Sequence, residues 1–321
     1  MTRFKRELVR RPLDRPRVPA VSVIVPWRNT PIRILERAVR SVGEQSYSGH
    51  INVAVCNDGS NAHTRSLAVN LFHQLADSID VEVYMIHHYP GRGISAARNS
   101  ACRSSDSEWF VWLDADDQLH PQAVSTLMDS ARSANFEMVL PQCEVRSPAG
   151  VRIHRNSTYL RDWRRGVGTP DPLAQVVFPV HGALVSRELF FWIGGFDEEF
   201  AFAELTDFFL RSAVAAGRTK IGFVPRPLYR YFRSAGSHSA ARQSLEEYRI
   251  RALLRYSRAV GLPYDNLCYV GRSALTGAQH YVPLILGKRI ASPYGEGPFE
   301  VAAEVVDPRT GQPNCVEKST S

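Results

Sequence analysis

The sequence contains no apolar run near the ~20 residues a membrane-spanning helix needs. Its first stretch, MTRFKRELVRRPLDRPRVP, is basic and lacks the apolar segment of a secretory signal, so a cytoplasmic location is the expectation. Cysteine is scarce. Cys56, Cys102, Cys143, Cys268 and Cys315 are five in number, far apart and without a C-x-x-C pair, which argues against both a zinc site and a disulfide framework. An excess of basic charge exists, +7 overall, but residues 1–17 hold +5 of it. The remainder is nearly balanced and shows no recognition module, so nucleic acid is not an expected partner. The tail reads as a solvated arm, with peripheral contact to an anionic membrane surface or an acidic partner as the sharper alternative. At 44% hydrophobic and 22% charged residues, 321 residues are enough for one large core with an appendage.

What is present is an alternation of strands and helices. The run VSVIVP (Val21–Pro26) is continuous, apolar and β-branched, as in a parallel strand buried on both faces. Residues 31–45 follow with Ile34, Ala38 and Val42 at helical spacing. The segments Ile51–Ser60, Val81–Ile86 and EWFVWL are further strands. A helix with a Leu67, Leu71 and Leu75 stripe lies between the first two, and one over GISAARNSACRSS between the last two. This repetition implies an α/β fold with a doubly wound, mostly parallel sheet flanked by helices. Ligands collect at the carboxyl ends of such strands. Here those ends read PWRNT, NDGS and DADDQ. Later segments are less regular: residues 147–180 read as a long loop, and the part beyond residue 240 as a helical or irregular extension.

The third strand end poses the sharpest question. Five apolar residues, Trp109–Leu113, run straight into Asp114, Asp116 and Asp117. Carboxylates this close repel one another, so they either face open water or surround a cation.

In order, VSVIVPWRN, VAVCNDGS, GRGISAARNSA, FVWLDADD, SRELFFWIGGFDEEF and LYRYFRSAGSHS resemble family 2 glycosyltransferases of the GT-A fold over residues 20–240. The resemblance implies a basic disordered tail (1–19) and a GT-A domain with a nucleotide-binding half (20–135) and an acceptor half (136–240). A helical extension (241–305) and a disordered tail (306–321) would follow. It implies a metal-dependent inverting transferase that moves a sugar from a nucleotide-sugar donor, a UDP-sugar, to a hydroxyl of a glycan, lipid-linked or small-molecule acceptor. Asp116 would ligate Mn2+ or Mg2+, and Asp114 would reach the ion or the ribose. Asp117 would cap the next helix, at Gln118–Pro121, or orient its neighbours. Pro26, Trp27, Arg28, Asn29, Asp58 and Arg98 would line the donor, with Gly91 and Gly93 allowing close backbone approach.

Two positions depart from the family pattern. Leu205 stands where the catalytic Asp is expected, which leaves Glu204 or Asp207 as the base after a small shift. Ser234 stands where a metal-side His is usual, with His238 as a substitute ligand. These departures keep open a catalytically silent nucleotide-sugar-binding partner of an active transferase. A nucleotidyltransferase is disfavoured because PWRNTPIR contains no glycine.

Overall fold

The computed structural model describes residues 20–76, 78–154, 157–166, 171–233, 242–273 and 276–285, with the backbone of a few short strands toward either end. The first of these, β1 (Glu7–Leu8), pairs antiparallel with Met85 and Tyr84. Otherwise the two terminal tails expected to be disordered lie outside the described residues, apart from short strands near the C-terminus.

Four strands then build the parallel part of the sheet: β2 (Val21–Trp27), β3 (Ile51–Asp58), β4 (Glu82–His88) and β5 (Trp109–Trp112). β2 runs parallel to both β3 and β5, and β3 parallel to β4, as their continuous apolar runs require. The crossovers are α1 (Ile32–Gly43), α2 (Ala62–Ala76) and α3 (Ile94–Arg103). The stripe expected on α2 is rotated: Leu67 is 41% exposed, while Ala68, Leu71, Phe72 and Leu75 are buried. On α3 the residues Ser95–Cys102 are all buried, so this helix is an interior element.

Beyond β5 the sheet becomes mixed. After the short β6 (Gln118–Leu119) and α4 (Ala123–Ala134) comes β7 (Met138–Ser147), which forms a hairpin with β8 (Gly150–His154). The region expected to be one long loop thus holds β8, α5 (Ser157–Arg165), a 3-10 turn at Pro172–Ala174 and β9 (Val176–Val177). Next are β10 (Leu184–Ser186), α6 (Arg187–Trp192), α7 (Glu204–Ala216) and β11 (Ile221–Phe232). The prolines of β11 do not end it. Pro225 and Pro227 fall where its register against β7 shifts, at bulges that tolerate a missing N–H. The full order is β1-β4-β3-β2-β5-β10-β7-β11-β6, with β10 antiparallel between β5 and β7.

The C-terminal part, expected to be helical or irregular, holds strands as well as a helix among its described residues. It contains α8 (Arg242–Ala259), then an antiparallel pair, β12 (Leu267–Ser273) and β13 (Gln279–Ile285), which also captures β9. Leu253, Tyr256, Leu267 and Tyr281 share a core with Ile24, Trp112 and Phe208, so this part packs on the same body. Among the described residues no helix is long and apolar enough to cross a membrane.

An aromatic cluster fixes the segment before α7. Phe196 and Phe208 stack at 4.5 Å, and Trp112 meets them at 5.1 and 5.5 Å. The turn between α6 and Phe196 uses Gly194 and Gly195, both at positive φ. Asn99 of α3 grips this turn, accepting from Phe196 N (2.8 Å) and donating to Phe196 O (2.9 Å). A Cβ on Gly195 would lie 2.6 Å from Asn99 Oδ1. Gly195→Ala is therefore expected to cost about 1–3 kcal/mol, from left-handed strain and the displaced Asn99; an unchanged urea midpoint would show the turn relaxes freely.

Candidate active site

The carboxyl ends of β2, β3, β4 and β5 lie along one edge because their registers are parallel and nearly aligned. The three carboxylates after β5 take three different environments. Asp114 Oδ1 accepts from Arg98 Nη2 at 2.6 Å, and His181 Nδ1 lies 3.4 Å from its Oδ2. Burial disfavours its charge, but Arg98 first and then His181 outweigh this and hold it well below the usual carboxylate range. Asp117 is fully buried and accepts from Tyr229 Oη (2.7 Å) and Phe232 N (2.8 Å). Burial, reinforced by Asp114 and Asp116, pushes its carboxyl up to about 8. Asp116 alone is exposed, and its carbonyl accepts from Arg37 Nη2 at 2.5 Å. The expectation that Asp117 caps a helix does not hold, because β6 follows it and α4 starts only at Ala123.

Arg98 is the organising cation. It is 0% exposed, and its Nη1 donates to Glu204 Oε1 at 2.5 Å while its Nη2 holds Asp114. Both of its terminal nitrogens, expected from sequence to meet a donor, are engaged within the chain here, and its guanidinium lies 5.4 Å from the Phe196 ring. Glu204 is the first residue of α7, and Ala203 before it is left-handed (φ 55°), a conformation uncommon for alanine that turns the chain into the helix. Its side chain keeps 12% exposure at the crevice.

Asp207 does not reach this point. It is buried, and it accepts from Arg211 Nε (2.8 Å) and Arg255 Nη1 (2.9 Å), with Arg255 Nη2 also bound to Asp197 (2.9 Å). It ties α7 to α8, so of the two residues expected as base only Glu204 is brought to Arg98 and Asp114. Leu205 is buried in the core.

On the other side of the crevice, Asp58 ends β3. Its Oδ1 accepts from His88 Nδ1 (2.8 Å) and Arg92 N (2.6 Å), and its Oδ2 from Gly93 N (2.9 Å). Burial raises its carboxyl, but His88 and the two backbone N–H groups outweigh it and leave the carboxyl below its ordinary value. Oδ2, with one donor, retains acceptor capacity. Gly91 serves this packing: a Cβ there would meet Asp58 O at 2.6 Å, whereas one on Gly93 (φ 96°) would meet nothing. Of the first-strand residues, Pro26 and Trp27 are buried, and the Trp27 indole donates to Thr30 O (3.0 Å). Trp27 is thus a core residue, while Arg28 and Asn29 are exposed at the edge. His238 and Ser234 lie outside the described residues.

His181, Tyr229 and His88 were not singled out from sequence. His181 stacks between Tyr229 (5.6 Å) and Tyr231 (5.3 Å), and Tyr229 Oη receives Asp114 N at 3.1 Å. Tyr229 lies within the LYRYF match, but nothing about a single histidine in PVHGAL marks it.

Among the described residues there is no cluster of three or more His, Cys, Asp or Glu arranged to hold a metal. Asp114 is committed to Arg98 and His181, which leaves Asp116 as the protein carboxylate. One carboxylate suits a magnesium-type ion whose other ligands are substrate phosphates and water.

Two expectations follow. Asp207→Ala removes the carboxylate shared by Arg211 and Arg255, although each keeps other partners, and should lower stability by about 1–3 kcal/mol while leaving ligand binding at the crevice intact; loss of binding with unchanged stability would contradict this placement. A carboxylate whose folded pKa lies below its unfolded value of about 3.9 adds stability above that value and loses it as pH falls through the folded one. Asp58→Asn should therefore be less stable than wild type at neutral pH, and urea midpoints should converge below about pH 4.

Residues 22–191, more than half of the chain, match the model of glycosyl transferase family 2. The chain is 31% identical over 114 residues to the GalNAc(5)-diNAcBac-PP-undecaprenol beta-1,3-glucosyltransferase of Campylobacter jejuni, covering 36% of this chain and 35% of that one. It is 30% identical over 129 residues to an N-acetylglucosaminyltransferase of Azorhizobium caulinodans, covering 40% and 31%. These matches span about a third of either relative. Among solved structures, the S. aureus TarS 1-349 complex with UDP-GlcNAc superposes with a TM-score of 0.56 at 16% identity, over 74% of this chain and 66% of that one. The mannosyltransferase PcManGT of Pyrobaculum calidifontis, in complex with GDP-Man and Mn2+, gives 0.56 at 20% identity, over 76% and 64%. These likenesses show a GT-A fold, and with the family match they make this chain a member of glycosyl transferase family 2.

Proposed function

We propose that the chain is a metal-dependent inverting glycosyltransferase that uses a nucleotide-sugar donor, a UDP-sugar, and an acceptor hydroxyl. The observation that carries this reading is the buried Arg98, which sets Glu204 beside the Asp114–Asp116 turn although the two lie far apart in sequence. In a single displacement the acceptor oxygen attacks the anomeric carbon, the bond from that carbon to the diphosphate oxygen breaks, and the nucleoside diphosphate departs. Glu204 takes the hydroxyl proton. Asp116 would hold Mn2+ or Mg2+, which neutralises charge on the diphosphate. Arg98 is a positioning residue: both its terminal nitrogens are used within the chain, and it orients the carboxylates without touching the sugar. Asp58 Oδ2 is offered to the nucleobase, and Arg28 and Asn29 to the ribose side. The UDP assignment draws support from the UDP-GlcNAc in the TarS complex, and the metal from the Mn2+ in the PcManGT complex.

Calorimetry with UDP and GDP, with and without Mn2+, tests the donor site. Wild type should bind UDP in a Mn2+-dependent way, and Asp116→Ala should lose this; metal-independent binding in both would remove Asp116 from the site. Glu204→Gln should retain that binding and lose about 10²–10⁴-fold in transfer rate. Full transfer by this variant would place the base elsewhere. Binding by wild type without turnover on any acceptor would favour the silent-partner reading, which the buried Leu205 supports.

A further inference from the structure

The far end of β11 carries a second feature. Tyr229 of β11 serves the crevice, but six residues earlier, ~20 Å along an ideal strand, Phe223 helps floor an open cavity of about 570 Å3. Three of its walls are arginines from one face of α5, Arg161, Arg164 and Arg165, and a fourth is Arg218, just before β11. The pattern of α5 forces this display. Tyr159, Leu160 and Trp163 are buried in the core, so the intervening arginines are turned outward, where all three are exposed.

The charge there is incompletely balanced. Arg218 donates to Trp163 O (2.6 Å) and to Asp171 Oδ2 (3.3 Å), and Arg161 Nε lies 3.5 Å from Asp162. Arg164 has its guanidinium 4.7 Å over the Phe136 ring. Among the described residues neither Arg164 nor Arg165 has an ion pair, so four guanidinium groups around one cavity meet two carboxylates. Like charges so gathered repel unless an anion joins them. A guanidinium presents planar, paired N–H donors that match phosphate oxygens two at a time, and it gives up water more readily than an ammonium. The volume exceeds that of a lone inorganic ion and falls in the range of small-molecule sites. Phe223 and Pro225 add apolar lining, which suits a ligand that carries more than its phosphate.

We propose that this cavity is an anion site, separate from the donor crevice, which binds a phosphate or diphosphate group through Arg164 and Arg165 without a divalent metal. The phosphate belongs either to a lipid headgroup or to a free phosphorylated compound. The site does not depend on the transferase reading, since neither Asp116 nor Glu204 takes part.

The test uses the full chain in EDTA, which removes metal-dependent binding at the crevice. Wild type, Arg164→Gln/Arg165→Gln and a charge-matched control, Arg33→Gln/Arg65→Gln on exposed positions elsewhere, are titrated with pyrophosphate by calorimetry. The same proteins are sedimented with phosphatidylglycerol or phosphatidylcholine vesicles. Pyrophosphate affinity at least tenfold lower in the cavity variant alone identifies a free phosphorylated ligand. Loss of phosphatidylglycerol sedimentation in the cavity variant alone, without pyrophosphate binding, identifies a lipid headgroup. The proposal is overturned if wild type binds neither, if the cavity variant keeps both, or if the control loses binding equally.

Discussion

A guanidinium buried to zero exposure in a domain core is costly unless carboxylates meet it, and around Arg98 two do. Much of the crevice follows from this constraint. α3 must lie inside the fold to bring Arg98 under the strand ends. The Gly194–Gly195 turn must pass close to Asn99 on the same helix, and α7 must begin with Glu204 pointed back toward α3. The left-handed Ala203 is the local strain that this aim entails. An arginine serves here where a lysine would not, because its two terminal nitrogens hold two separate carboxylates in fixed directions.

The carboxylates after β5 accordingly do not act as one acidic patch. Asp114 is consumed in holding the frame, with His181 beside it. Asp117 is withdrawn from solvent onto Tyr229 and the backbone of Phe232, where its own charge is disfavoured. Only Asp116 faces outward, and the repulsion expected of three adjacent aspartates falls on Asp117, whose charge is disfavoured by burial, Asp114 and Asp116 together. A single exposed carboxylate is a weak metal site by itself, which accords with an ion that arrives with a diphosphate and brings most of its ligands.

The parallel half of the fold was legible because Val21–Pro26, Ile51–Ser60 and EWFVWL are continuous apolar runs separated by helical patterns. The convergence of NDGS and DADDQ on one edge follows from that topology alone. Other features depend on contacts between residues remote in sequence, which periodicity does not carry. Asp207 looks like a base beside Glu204, but one helical turn directs it toward Arg211 and Arg255. Arg98 reads as a ligand arginine in the sequence, and only the fold shows the two carboxylates of its own chain that meet it. His181 gains its place only when β10 inserts antiparallel between β5 and β7. Residues 147–180 were hard to read because their elements are short, and the C-terminal part because its strands alternate weakly.

One cation, Arg98, couples Asp114 to Glu204, and a double-mutant cycle on unfolding free energy measures that coupling. With Asp114→Asn and Glu204→Gln, each single variant leaves Arg98 one carboxylate, whereas the double variant leaves a buried charge with none. The double variant should be destabilised beyond the sum of the singles by about 1 kcal/mol or more. Additivity within about 0.5 kcal/mol would mean that Arg98 does not join the two sides of the crevice.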